Sequence, residues 1–467
     1  MLGSKPRGYG WRSSSAFIIF TAVLALFTES FLYTFIVPIL SYMIEFRLYL
    51  PASQTQKYTT GLLAIHGLAA MISAPIIAHS ADKFPSRKGS LLLCLAGIFA
   101  GTVLLALTPS VWAMFVGRVI QAIASSAGWI VAFATLADNV PMEHLGKTLG
   151  LASSFVSAGI ISGPTVSGTL LELAGYWAAW AVPFALLGID LVARLLMLEA
   201  PKPKPQRKTQ ASSTDEEQTL LSPTQPPPQP SQAEPKQKPR GFYRTVLCNA
   251  AGVVGLLNTF VFSLTLTGLD STLPLHLRNT FGWTSLQTSM IFLALQVPGP
   301  FLSPLVGALR DKVGLRNPTT IGWILTAVSL YILGIPGQEG ISWASPEPGK
   351  AGTPILVGAT IALGAVTPFV RGVAMIQLMA MVDQLQSENP GILGEHGGTS
   401  KVFSSLEIAF NLGTTAGPLL AGSVVEALGF YYTNCILAAI ALSLAALSFM
   451  FLEPAGGAKE KKGGSEI

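Results

Sequence analysis

Charged side chains and cysteines are both scarce in this sequence of 467 residues. Asp, Glu, Lys and Arg together make up 11% of it, whereas hydrophobic residues make up 50%. A soluble domain of this length would need more charge to cover its surface, so we expect a membrane protein. The three cysteines, Cys94, Cys248 and Cys435, are odd in number and widely spaced. They predict neither a disulfide framework nor a zinc site.

Motifs for catalysis are missing as well. The sequence contains no H-E-x-x-H, G-x-S-x-G or EF-hand pattern. A partial phosphate-loop match at Gly146–Thr148 fails because Pro141 stands where the first glycine is required. We therefore expect no enzyme activity, no cofactor and no metal. The net charge of +5 reflects basic loops between apolar segments, so we expect no nucleic-acid partner either.

The sequence does contain twelve apolar blocks, each long enough for a helix to cross a bilayer, which takes roughly 20 residues. Peptide groups inside a bilayer must bond to one another, so these spans should be helices. The fold class predicted is an all-α membrane protein with twelve transmembrane helices. The spans are 14–42, 59–80, 89–108, 111–137, 147–171, 177–198, 246–270, 285–309, 318–336, 353–382, 401–425 and 430–452.

A polar, proline-rich stretch divides the spans into two groups of six. Residues 201–242 hold ten prolines among Gln, Ser and Lys, and such a composition cannot bury enough apolar surface to fold. We therefore predict an N-terminal six-helix bundle at 1–200 and a disordered linker at 201–242. A C-terminal six-helix bundle should follow at 243–455, and then a tail at 456–467.

The basic residues indicate the orientation in the membrane. Twenty-two of the 29 Lys and Arg lie in the two tails and in the loops that follow even-numbered spans. By the positive-inside rule, both tails and the linker should be cytoplasmic. We expect the plasma membrane, with a vacuolar or vesicular membrane as the alternative.

The two predicted bundles share a repeated element, which indicates a duplicated membrane unit. The segment Gly159–Gly168 returns 254 residues later as Gly413–Gly422, with a Gly-Pro pair in the middle of each. In membrane helices, glycine permits close contact and proline permits a kink. The positions that we expect to take part in conformational change are Gly159, Gly163, Pro164, Gly168, Gly417 and Pro418.

A second repeat stands at the ends of spans 2 and 8. Asp82 and Arg87 return 229 residues later as Asp311 and Arg316. A carboxylate can bind a neighbouring helix N-terminus and an arginine in one conformation and lose both in another. Two homologous membrane halves are the usual plan of a secondary transporter, with the substrate site between them. We therefore predict that these four residues act in gating.

These motifs resemble those of the major facilitator superfamily. The loops Ala81–Lys88 and Gly307–Arg316 are similar to its signature loop, and the segment around Arg118 is similar to its arginine-bearing span 4 motif. The Gly159–Gly168 segment resembles the span 5 motif of its drug:proton antiporters. The resemblance implies two pseudo-symmetric six-helix bundles around a central cavity. It also implies exchange of a small molecule for protons across the bilayer by alternating access. We expect the protein to be a monomer.

Three acidic motifs, which contain Glu29, Asp270 and Glu407, resemble those of vesicular amine transporters and their fungal relatives. The resemblance implies that these carboxyls bind substrate and protons. The residues themselves point the same way, because an ionisable side chain within a membrane span is costly and usually functional. The sequence therefore predicts proton-coupled export of a drug-like molecule or secondary metabolite.

Arg371 departs from this pattern and leaves the substrate class open. It lies in span 10 without an acidic neighbour in that span, and a guanidinium is well suited to binding a carboxylate. If Arg371 and Arg118 both face the cavity, the substrate is instead a small organic acid. Two further alternatives are a proton symporter that imports a nutrient and, from another class, a membrane-embedded enzyme or receptor.

Overall fold

The computed structural model describes most of the chain. The predicted linker at 201–242 and the tail at 456–467 lie outside the described residues, as does Asp82, and of Arg87 only the backbone is described. The described residues are 8–81, 87–140, 142–198, 246, 248–347, 349–388 and 399–452.

Helices form nearly all of the described chain, as the apolar composition predicts. A 3₁₀ turn at Val37–Ile39 and a π-helical turn at Met43–Arg47 extend the first span beyond α2. The helices are α1 Tyr9–Arg12, α2 Ser15–Phe35, α3 Leu40–Tyr42, α4 Thr55–Ala81, α5 Arg87–Leu107, α6 Val111–Asn139, α7 Met142–Ala174, α8 Tyr176–Leu196, α9 Ala250–Phe281, α10 Ser285–Gln296, α11 Pro298–Val313, α12 Arg316–Gly334, α13 Gly352–Val370, α14 Val373–Glu388, α15 Thr399–Leu428 and α16 Phe430–Phe451.

Eleven segments of the described chain are long and apolar enough to cross a membrane, so the protein is a multi-pass membrane protein. The twelfth predicted span, 318–336, is the helix α12, which has 19 residues. It packs against α13 and α16. Its first turns carry Arg316, Asn317 and two threonines, and these polar residues lower its hydropathy below that of the other spans.

Spans 8 and 10 are broken, whereas the sequence predicted one continuous helix for each. Span 8 divides at Val297 because Pro298 has no N–H with which to continue the hydrogen-bond ladder. Span 10 divides after Val370, where Arg371 takes an extended conformation and Gly372 a left-handed one with φ +77°. Glycine adopts that conformation readily, whereas other residues rarely do. The break places the Arg371 backbone outside both helices.

The helices α1 to α8 pack mainly on one another, and the helices α9 to α16 do the same. Between the two halves, α4 packs against α15 and α7 packs against α10. At the centre of α7 a Cβ on Gly163 would overlap Thr34 and the Phe31 carbonyl of α2. The repeated glycines therefore permit α7 to approach the backbone of its neighbour, as the Gly-rich segment predicts.

The second copy of the glycine element packs in an equivalent way. A Cβ on Gly417 of α15 would overlap Thr267 and the Leu264 carbonyl of α9. The last glycine of each copy faces the opposite half: Gly168 faces Ser289 of α10, and Gly422 faces Thr60 of α4. The sequence repeat is therefore also a repeat of packing, and it lies at the interface between the halves.

Candidate functional site

Glu29 lies in the middle of α2 with 2% of its surface exposed. Gly128 of α6 leaves the space that its carboxyl occupies, because a Cβ at Gly128 would overlap Oε1 of Glu29. Ser125 of α6 lies near the Glu29 carboxyl, but among the described residues neither carboxyl oxygen has a hydrogen-bond partner at normal geometry. An unsatisfied buried carboxyl is costly to keep charged. Glu29 is therefore suited to carrying a proton.

Arg194 of α8 is the cation that lies near Glu29, but its donors bind elsewhere. Its Nε and Nη2 donate to the two carboxylate oxygens of Asp190, at 2.9 and 2.6 Å. Its Nη1 donates to the Leu91 carbonyl. The distance from Nη2 to Oε1 of Glu29 is 3.9 Å. Asp190 thus neutralises Arg194. Glu29 is attracted to the charge of this arginine but accepts no hydrogen bond from it.

Arg118 is fully buried on α6 and binds within its own half. Its Nη1 donates to Oε1 of Gln121 at 2.7 Å, and its Nη2 donates to the Tyr33 carbonyl at 3.2 Å. The guanidinium also lies over the Tyr33 ring, with 5.4 Å from its central carbon to the ring centre. Together with His66, whose ring centre is 5.0 Å from that of Tyr33, Arg118 holds the end of α2 in place.

The other two predicted carboxyls lie in the second half of the chain. Glu407 of α15 accepts a hydrogen bond of 2.8 Å from Nδ2 of Asn411, and it is close enough to Glu29 for the two carboxyl groups to interact electrostatically. Asp270 of α9 is 5% exposed and interacts in the same way with Tyr33. The structure therefore brings the three acidic residues to the interface between the halves, around α2.

Arg371 lies elsewhere, in a cavity of about 130 Å³ that is lined mainly by the second half of the molecule. Its Nη1 is 3.4 Å from the hydroxyl oxygen of Ser157 on α7. Of the described residues that line this cavity, Arg371 is the one with an ionisable side chain. The cavity lining is Ser157, Ile160, Ile161, Phe262, Thr265, Leu266, Leu269, Leu295, Gln296, Gly299, Pro300, Ser303, Trp323, Thr326, Leu363, Thr367, Pro368, Val370, Arg371 and Phe410.

Arg310 at the end of α11 stabilises the break that carries Arg371. Its Nη1 donates to the Arg371 carbonyl at 3.0 Å, and its Nη2 donates to the Phe369 carbonyl at 2.6 Å. These carbonyls are left without helical partners by the break. Sequence reasoning missed this role, although Arg310 stands directly before the predicted gating residue Asp311.

The Glu29 pocket and the Arg371 cavity occupy equivalent places in the two halves. The α2 residues that contact the first glycine element, Phe27, Ser30, Phe31 and Thr34, stand 233 residues before Phe260, Ser263, Leu264 and Thr267, which contact the second. The same spacing pairs Glu29 with Phe262, Leu32 with Thr265 and Tyr33 with Leu266. The first residue of each pair lines the small pocket at Glu29, and the second lines the Arg371 cavity.

Of the four predicted gating residues in the charged loops, the structure describes the side chains of Asp311 and Arg316. Asp311 is exposed, and Arg316 lies over the Phe449 ring at 4.4 Å. The halves are instead joined on the far side, the membrane face opposite the N-terminus. There Nη2 of Arg278 is 2.9 Å from Oε1 of Glu45.

Further hydrogen bonds join the halves on the far side. Nε2 of Gln56 donates to the Ser271 carbonyl at 3.0 Å. The backbone N–H of Leu286 donates to Oε2 of Glu172 at 2.8 Å. Sequence reasoning missed these contacts, because nothing in the spacing relates residues so far apart in the chain.

Two duplicated helix bundles with ionisable groups at their interface define a membrane transporter. The family model of the Major Facilitator Superfamily matches residues 18–382 and 255–466. The chain belongs to this superfamily, and the predicted fold class is confirmed.

Similar proteins support the assignment to a family of transporters. An uncharacterized MFS-type transporter of Schizosaccharomyces pombe is 30% identical over 92% of this chain and 94% of its own. The synaptic vesicular amine transporter of Rattus norvegicus is 23% identical over 78% of this chain and 60% of its own, which confirms the predicted resemblance. These relatives are transporters and not enzymes.

A solved structure confirms the fold. The chain resembles a bacterial homolog of the human lysosomal transporter Spinster with a TM-score of 0.65 and 15% identity, over 96% of this chain and 97% of the other.

Proposed function

We propose that this transporter is coupled to protons and exports a small organic compound by alternating access. The observation that carries the proposal is Glu29, a buried carboxyl without a hydrogen-bond partner among the described residues. Because Asp190 already neutralises Arg194, Glu29 can gain or lose a proton without breaking the Arg194–Asp190 ion pair. Glu407 lies close enough to respond to that change, and it belongs to the opposite half.

The two halves would rock about the interface that the glycine elements form. Gly159, Gly163, Pro164 and Gly168 in α7, and Gly417 and Pro418 in α15, supply the close and kinked contacts. Asp311 and Arg316 at the ends of α11 and α12 would form their gating contacts in the other conformation, together with Asp82 and Arg87.

The same proposal includes orientation and location. The distribution of basic residues supports cytoplasmic tails and a cytoplasmic linker. The far side then faces the outside, and its contacts between the halves would close the external entrance. We propose a monomer in the plasma membrane.

The test measures flux driven by a pH gradient in proteoliposomes. Vesicles loaded with the pH indicator pyranine receive rhodamine 6G or 2-naphthoate as transport probes. We expect proton movement with the wild-type protein, and a loss of about tenfold or more in the Glu29→Gln and Glu407→Gln variants, because glutamine cannot exchange a proton. Glu426→Gln, an exposed position on the same helix as Glu407, is the matched control. Full pH-driven flux in both test variants would contradict the proposal.

A further inference from the structure

We propose that the Arg371 cavity binds an organic acid, with the carboxylate of the substrate on the Arg371 guanidinium and an apolar or aromatic body against the remaining walls. This inference deepens the proposed function, since it names the substrate class of the same transporter. It places the substrate in the second half of the molecule and the exchanged proton at Glu29 in the first half.

The first argument is the unpaired charge of Arg371. Its one side-chain hydrogen bond in the described structure is to a neutral hydroxyl, that of Ser157 at 3.4 Å. The described residues that line the cavity include no Asp or Glu. A guanidinium in a mainly apolar membrane cavity is costly unless it has a partner or water. The Arg371 side chain is exposed within the structure, so a ligand that enters the cavity can reach it.

The second argument is that the Arg371 backbone is held in place at the helix break. Arg310 binds the carbonyls of Phe369 and Arg371 at the same time, and the Arg371 N–H donates to the Thr367 carbonyl at 3.0 Å. The guanidinium is therefore presented from an anchored backbone. Its planar group can bind both oxygens of a carboxylate at once, which an ammonium group cannot do in the same way.

The third argument is the chemistry of the remaining walls. Phe262, Leu266, Trp323 and Phe410 supply large apolar surfaces, and the polar groups among the other lining residues are uncharged. Such a lining favours a ligand with one charged end and an apolar body. A second charge on the ligand would find no opposite charge in the lining.

The fourth argument comes from the equivalence of the two pockets. The position of Glu29 in the first half is taken by Phe262 in the second. The acidic group is therefore absent from the place where the cavity has formed, and the cavity carries a basic residue instead. A cationic substrate in this cavity would meet Arg371 as a like charge. Glu29, Asp270 and Glu407 are not among the lining residues.

The test measures equilibrium binding to the purified full-length protein in detergent at neutral pH, without a pH gradient. The probes are 2-naphthoate, its neutral amide 2-naphthamide and the cation 2-naphthylmethylamine. Isothermal titration calorimetry measures the binding of each. We expect 2-naphthoate to bind about tenfold or more tightly than the amide, because it adds a charge-assisted contact. The amine should bind more weakly than the amide.

The variants separate Arg371 from the rest of the protein. Arg371→Gln should reduce the affinity for 2-naphthoate about tenfold while leaving the affinity for 2-naphthamide unchanged. The affinity of Arg371→Lys for 2-naphthoate should lie between those of the wild type and Arg371→Gln. Unchanged amide binding also shows that the variant is folded. Lys350→Gln, a charge change in a loop, is the matched control and should bind 2-naphthoate like the wild type. The wild-type comparison of the three probes needs no variant and tests the proposal even if Arg371 variants fail to fold.

Three results would overturn the inference. They are tighter binding of the amine than of 2-naphthoate, full 2-naphthoate binding by Arg371→Gln, and no binding of 2-naphthoate to the wild type at millimolar concentration. The proposed function is tested separately. Binding of 2-naphthoate without pH-driven flux would contradict proton coupling alone, and pH-driven flux of rhodamine 6G without 2-naphthoate binding would contradict the organic-acid site alone.

Discussion

Arg194 and Asp190 form an ion pair whose two side chains are fully buried. Removing one partner from such a pair leaves an uncompensated charge and typically costs about 3–5 kcal/mol, whereas replacing both partners with apolar residues costs much less. Arg194 also binds the Leu91 carbonyl, which adds to its cost of removal. The pair therefore stabilises the first half only as a unit.

We expect Arg194→Met to lower the thermal unfolding midpoint strongly, because Asp190 would be left buried and charged. The double variant Arg194→Met with Asp190→Leu should recover part of that loss. Thermal unfolding in detergent of the wild type, the two single variants and the double variant measures the coupling. Additive effects of the two single changes would contradict this account of the pair.

At the scale of helices, the approach of α7 to α2 depends on glycine. A Cβ on Gly163 would overlap atoms of Phe31 and Thr34, and the same holds for Gly417 against α9. Backbone atoms are among those overlapped, so the neighbouring helix would have to move. Helix packing in membranes depends on such close contacts, because the hydrophobic effect does not drive helices together within lipid.

We expect Gly163→Ala to lower both thermal stability and transport, with a loss of about 1–3 kcal/mol, as for other overpacked sites. Gly150→Ala on the same helix is the matched control, since a Cβ there meets no atom within 4 Å. Alanine should be neutral or stabilising at Gly150, because it is the better helix former. Equal effects at the two positions would show that close packing is not the reason for the glycine.

At the scale of the whole molecule, the far-side ion pair between Glu45 and Arg278 joins the two halves. Glu45 also accepts a hydrogen bond of 2.6 Å from the Thr55 hydroxyl, so its carboxylate is held in place. A partly exposed ion pair of this kind contributes about 0.2–1 kcal/mol. Such a contribution is present only while the far side is closed, and it therefore shifts the conformational equilibrium.

We expect Arg278→Gln to increase the population that is open on the far side, by roughly 1.4-fold to fivefold. The measurement is the rate at which a polar thiol reagent labels a cysteine placed at Gln56, which is buried between the halves on that side. Glu347→Gln breaks the ion pair with Lys350 inside one loop and should leave the rate unchanged. Equal labelling in all three proteins would show that the pair does not hold the far side closed.

The sequence by itself determined the helical fold and the duplication, and the site residues that it indicates stay a prediction. Long apolar blocks become helices because a bilayer offers peptide groups no other partner. The repeated glycines identified the helices that approach one another closely, and the spacing of Asp190 and Arg194 placed both on one face of α8. These features follow from composition and local periodicity, which a sequence shows directly.

The tertiary structure alone decided which groups meet. Glu29 lies beside Arg194 and Gly128 because α8 and α6 pack on α2, and those residues stand about a hundred positions or more away in the chain. The break at Arg371 depends on Arg310, which satisfies its carbonyls from another helix. The packing of the helices also places Arg118 away from the cavity that Arg371 lines. Contacts between distant residues depend on how whole helices pack, and local sequence patterns do not specify that packing.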